Sequence, residues 1–371
     1  MTGQEVRSVE DAVSIWAAPE TDDDSFTEKL THYRLEVLRK LGFIVICIIA
    51  SFLVILYALQ LNYNNTDMWQ AWQVVIDHLT NNIKNTTDDW IIFNVHLPRI
   101  VRGIIAGAGL AAAGAVMQSI LRNPLADPYT TGISSGASFG ATLAVGLGIT
   151  VAGESWGIVG NAFIFALIPM AVILLLSKFK GASPTLMVMA GIAVMYIFNA
   201  VNTMIKLWLS PDQQSYLFSW SVGSIEGANW DGLDIMAAVV FVSVFVLLLI
   251  SKRLNVVATG DESARSIGVN PEHMRIVSLL IVSLMTAAVV SFTGLIGFVG
   301  LVCPHIARIF VGSDNRFLVP ASAVCGIAMI TIADTIGRTL LYPNVLQVGV
   351  ITAFVGGPLF LYLIIRQKRL D

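Results

Sequence analysis

The 371-residue chain is 56% hydrophobic and 13% charged, with a mean hydropathy of +0.75 and a formal net charge of −3. An ordinary soluble globular domain is excluded, because such domains carry about 25% charged residues. The net charge is uninformative, since placement of charges matters more than their sum, and no nucleic-acid partner is expected.

Residues 1–40 form a polar, partly acidic extension without a cleavable signal pattern, ending in the basic segment Arg34–Lys40. The part before Thr27 is expected to be loose. From residue 41 onward, ten apolar stretches long enough to cross a bilayer follow one another: 41–61, 97–121, 129–151, 157–177, 184–208, 233–251, 274–293, 295–312, 317–336 and 346–365. No period-two alternation marks them, so the spans read as helices rather than barrel strands. The fold class expected is an all-α polytopic membrane protein, with residues 41–371 as one transmembrane domain. The eighth stretch is interrupted by Gly294, Gly297, Gly300 and Pro304 and reads as a broken or partly re-entrant helix. With the N-terminus in the cytoplasm, 17 of the 22 lysines and arginines fall on the inner side. Both termini are therefore expected to be cytoplasmic, in a multi-pass protein of the cell membrane.

Between the first two spans, residues 62–96 make a long outer loop whose Trp69, Trp72 and Trp90 suit a membrane interface. The second span is dense in glycine and alanine, and the third repeats the device with Gly132, Gly136 and Gly140 on one face, a pattern for close helix packing. Arg122 to Pro128 is a two-proline corner between them. Residues 258–275 form a polar interruption with marked helix ends. Thr259 and Glu262 have capping-box spacing, Asp261 and Glu262 suit a first turn, Gly268 suits a stop, and Asn270-Pro271 suits a new start. On local physics this is either an ordinary ordered loop or a rigid knob gripped by a partner. Asp334 is the clearest acidic residue within a span, with Arg338 four residues later on the same face, the spacing of a structural ion pair.

The signal for an ion-coupled carrier is thin, because intramembrane carboxylates are few. No phosphate-cradling G-x-x-x-x-G-K-[ST] is present, so the chain is not expected to bind ATP by that route. No metal site is expected, since the five histidines are scattered and Cys47, Cys303 and Cys325 lie in apolar stretches as small hydrophobes.

Six ordered motifs carry a resemblance: LPR at 97–99, GAVMQSILRNPLADP at 114–128, G-x-x-x-A-R-x-I-G-V at 260–269, GLIGFVGLVCPHIAR at 294–308, AD-T-I-G-R at 333–338 and VGVITAFVGGPLF at 348–360. From about residue 40 onward the chain resembles the permease subunits of type II ABC importers, the FecCD transport family that takes up iron–siderophore complexes, haem and cobalamin. The resemblance implies a non-enzymatic homodimer with a central path, two cytoplasmic ATPase subunits that hold the ATP and magnesium, and an external substrate-binding protein. It places Gly260, Ala264, Arg265 and Gly268 in a coupling helix that docks on the ATPase. It matches Arg99 and Arg338 to outer arginines that meet the binding protein. His96 stands where the family often has another arginine, and Pro343 to Gly349 departs from the usual P-x-E-L-P-V-G. An iron(III)-siderophore is the expected cargo, with cobalamin or haem as alternatives. An ion-coupled carrier and a membrane enzyme holding an anion on its outer arginines stand as rivals.

Overall fold

A computed structural model describes residues 23–60, 68–151, 153 and 156–367. The segment expected to be loose falls mostly in the first 22 residues, which lie outside the described residues, as do residues 368–371. The chain divides into two units between Gly42 and Phe43. The described part of the first unit is helical and carries an i,i+4 ion pair, Glu36–Lys40, at 4.0 Å.

The second unit is helical throughout its regular elements. Helix α1 (Asp23–Gln60) contributes the first expected span. After it come α2 (Met68–Leu79), α3 (Thr86–Ile91), α4 (Leu97–Ile120), α5 (Ile133–Leu147), α6 (Gly157–Lys180), α7 (Pro184–Lys206) and α8 (Pro211–Val222). Then follow α9 (Leu233–Leu249), α10 (Ser251–Ala258), α11 (Asp261–Ser266), α12 (Pro271–Thr293), α13 (Val299–Val311), α14 (Asn315–Thr339) and α15 (Val348–Gln367). Among the described residues six helices are long and apolar enough to cross a bilayer, α9 and α10 make a seventh bent by 62°, and three shorter apolar helices complete the set. The ten expected stretches each meet one of these. The eighth, α13, has 13 residues, about 20 Å of helix at 1.5 Å per residue, and Pro304 inside it. That is short of the roughly 30 Å hydrocarbon core.

The stretch read as a long outer loop is largely helical instead. Asn85 caps α3 by accepting from the N–H groups of Thr87 and Asp88. A single π turn, Ile92–His96, runs on into α4. Trp72, Val74 and Val75 pack on Ala58, Leu59 and Ala71, which is why this segment orders, while Trp69 and Trp90 remain exposed.

Helix α4 is the axis of the unit and is buried along most of its length. Its small residues allow two backbone crossings. A Cβ on Gly326 would stand 2.6 Å from the Ala111 Cβ and 2.9 Å from the Gly107 carbonyl carbon, so α4 and α14 meet with no room for a side chain. Gly114 meets the backbone of Gly300 in the same way. The packing meaning of the third span's glycines also holds, since Gly136 and Gly140 lie against the backbone of Phe165 and Asn161 in α6.

Candidate functional site

Helix α11 sits in a corner between α10 and α12. The expected Thr259–Glu262 capping box does not form. Helix α10 runs on to Ala258, so Thr259 serves as its C-cap and its hydroxyl donates to the Val256 carbonyl at 2.8 Å. Gly260 (φ +130°) becomes the residue before α11. The stop at the other end is as expected. Gly268 has φ +85°, its N–H donates to Arg265 O at 3.0 Å, and the Val269 N–H donates to Ala264 O at 2.9 Å. This is the paired closure of a Schellman motif, and a Cβ would strain it. Asn270 then accepts from the His273 N–H at 3.1 Å, with Pro271 opening α12.

The residue that fixes this corner is Arg275, whose side chain is fully buried. Its Nε donates to Ile120 O at 3.2 Å, its Nη1 donates to Ala182 O at 3.2 Å and to Asp261 Oδ2 at 2.9 Å, and its Nη2 donates to Asp261 Oδ1. One guanidinium thus joins the last turn of α4, the α6–α7 connection, α11 and α12. Arg122 closes on the same carboxylate at 3.3 Å. The Arg275 hydrogen bonds and charge, with help from Arg122, hold the Asp261 carboxyl below the usual carboxylate range. A second polar chain anchors α10. Asn255 donates to Asp314 at 2.7 Å and accepts from the Asn315 side chain at 2.9 Å, and Ser119 of α4 donates to Asn315 at 2.9 Å. What the corner leaves outward is Arg265, paired with Glu272 at 3.0 Å, and an exposed Ile267, while Ala264 faces inward.

At the opposite end of the bundle, Arg99 donates from Nε at 2.9 Å and Nη2 at 2.7 Å to one oxygen of Asp334. Arg338 lies 4.0 Å from the other oxygen, donates to Ala58 O at 2.9 Å, and stands 3.2 Å from His96 Nδ1. Asp334's closest partner is therefore Arg99, from another helix, rather than its own i+4 neighbour. All four side chains are buried, so removing Arg99 or Asp334 leaves the other as a buried charge without its closest partner. One turn further along α4, Arg102 faces a cavity of about 720 Å³ and an adjoining one of about 750 Å³.

Residues 45–366 match the FecCD transport family. The chain belongs to that family. FecCD relatives include a protein of Methanocaldococcus jannaschii named as an ABC transporter permease, 41% identical over 91% of this chain and 98% of its own. The hemin transport permease of Yersinia pestis is 33% identical over 76% of this chain and 85% of its own. The cobalamin import permease of Halobacterium salinarum is 39% identical over 74% of this chain and 73% of its own. A solved structure described as an inward-facing metal-chelate type ABC transporter superimposes with a TM-score of 0.77 at 25% identity, over 88% of this chain and 99% of that one. This FecCD chain is thus an ABC importer permease, a multi-pass protein of the cell membrane.

The site residues that the resemblance implies fall into two separate groups. Gly260, Ala264, Arg265 and Gly268 share the α11 corner, where Gly260 and Gly268 set the backbone and only Arg265 of the four presents a side chain outward. Arg99, Arg338 and His96 share the opposite cluster. Sequence reasoning missed Arg275, Arg122 and Asp261 as a unit. The available signal was an arginine five residues into a helix otherwise entering an apolar span.

Proposed function

We propose that this chain is the homodimer-forming, translocating subunit of an ATP-driven importer for an iron(III)-siderophore or similar metal chelate, with both termini in the cytoplasm. The names of the relatives, which include hemin, cobalamin and iron(III)-citrate permeases, support a chelate-sized cargo and keep haem and cobalamin as alternatives. The observation that carries the reading is the braced corner. A six-residue helix gains little stability by itself, yet here Asp261, Arg275 and the Gly268 closure hold it against three other elements while Arg265 and Ile267 point outward. A helix held so rigidly can transmit the motion of a partner ATPase into α4 and α12. ATP and magnesium belong to that partner and a binding protein delivers cargo at the opposite end.

The test replaces Arg265 by glutamate and, separately, Gly268 by valine. Each variant is expected to insert normally but to lose ATPase assembly or coupled transport by at least tenfold in proteoliposomes. Parental transport and full ATPase association in both would overturn the coupling role. Uptake that follows a proton or sodium gradient without ATP would instead establish a secondary carrier.

The binding-protein reading of Arg99, Arg338 and His96 takes a specific form. Arg99, at 10% side-chain exposure, offers the reachable edge and is held by Asp334, while Arg338 faces the other Asp334 oxygen and stands beside His96. Arg99→Glu places two carboxylates together and is expected to slow association most at low salt. The swap Arg99→Asp with Asp334→Arg restores internal pairing, so it is expected to recover stability without recovering association. Recovery of both would assign these residues to bracing alone.

A further inference from the structure

Arg102 lies in α4 within the membrane-crossing helix, with a relative exposure of 7%. Its Nε has no hydrogen-bond partner, and no described carboxylate pairs with its guanidinium. Arg99, one turn away, has Asp334 and Arg338 has Ala58 and His96, so Arg102 is set apart from its own neighbours. An intramembrane arginine left in this state is costly unless a pathway or ligand uses it.

The side chain lies where two cavities adjoin. Both are also lined by Trp156, Val159 and Phe292, and together they provide well over 1,000 Å³. Trp156 and Phe292 meet edge to face with centroids 6.2 Å apart, making an aromatic wall beside the guanidinium. Glu226, Asp231 and Asp234 also line these spaces, but all three are exposed, so solvent screens them, whereas the charge on Arg102 is enclosed. A field of that form favours an anion with one charge, placed deep, and an apolar or aromatic body against the wall. Guanidinium and carboxylate match in a planar two-bond fork.

We propose that this cavity is a binding site for small aromatic or apolar monocarboxylates, held by Arg102. The site stands on the cavity geometry and holds whether or not the chain imports chelates.

The experiment is calorimetric titration of the purified chain in neutral detergent with benzoate and with its uncharged isostere benzamide. Benzoate is expected to bind at least tenfold more tightly, and Arg102→Gln to abolish that preference, with Arg102→Lys keeping part of it. Val159→Glu provides an independent variant: a tethered carboxylate in the same cavity is expected to occupy Arg102 and exclude benzoate. Equal binding of the two probes, or a preference that survives both Arg102→Gln and Val159→Glu, would overturn the proposal. The titration is repeated in nanodiscs of phosphatidylglycerol. A benzoate response that persists there supports a soluble ligand, and one that vanishes assigns the guanidinium to a lipid phosphate and overturns it.

Discussion

Arg275→Met is expected to destabilise the protein by about 3–5 kcal/mol, the usual cost of removing one member of a buried charged pair. The methionine fills much of the volume but leaves the Ile120 and Ala182 carbonyls without the donor they have now and frees Asp261 from its main partner. Arg275→Lys retains a point charge without the planar fork, so it should recover only part of the loss. Denaturant unfolding in detergent measures the difference, with exposed Arg253→Gln expected within about 0.5 kcal/mol of the parent. The pH dependence follows from Asp261. Its folded pKa is depressed, so the stabilisation is fully present above the unfolded value of about 3.9 and is lost as pH falls through the lower folded value. The parent should therefore lose this contribution only below about pH 4, and Asp261→Asn should lack it at neutral pH already. An Arg275→Met protein as stable as its parent would remove the corner's brace from the account.

Gly326→Val is expected to prevent assembly of the bundle. The atoms its Cβ would meet include the backbone of α4 at Gly107, which cannot rotate aside as a side chain would. Overpacking commonly costs about 1–3 kcal/mol when side chains can adjust, and here two central helices must separate along their shared length. Gly297→Ala is the matched control, because a Cβ there meets nothing within 4 Å and the position carries no positive φ. The yield of monodisperse protein and its melting temperature read both. A Gly326→Val chain that purifies and melts like the parent would show that α4 and α14 do not cross closely.

Most of the architecture was legible in the sequence, because membrane spans announce themselves through unbroken apolar length and the bilayer leaves helices as the backbone solution. The interruption before the eighth span was equally visible at Gly294, whose positive φ ends α12, whereas Pro304 lies within α13, which continues through it. The stop at Gly268 and the start at Asn270-Pro271 also follow from a few adjacent residues. The capping box failed for the complementary reason. Whether Thr259 begins one helix or ends another depends on how far α10 continues, and tertiary contacts of Leu254 and Val257 decide that.

By itself the sequence determined the helical membrane class, the order of the spans, the glycine-lined packing faces and the family resemblance. Only the tertiary structure decided which charges meet. Arg99 pairs with Asp334 across 235 residues, and Arg275 reaches Ile120 across 155, leaving Arg102 at a cavity without such a partner. Helical periodicity ranks neighbours three or four residues apart, which made Arg338 the natural mate for Asp334. In the bundle, helix crossings bring Arg99 nearer than the local neighbour, and burial makes the nearer partner count for more.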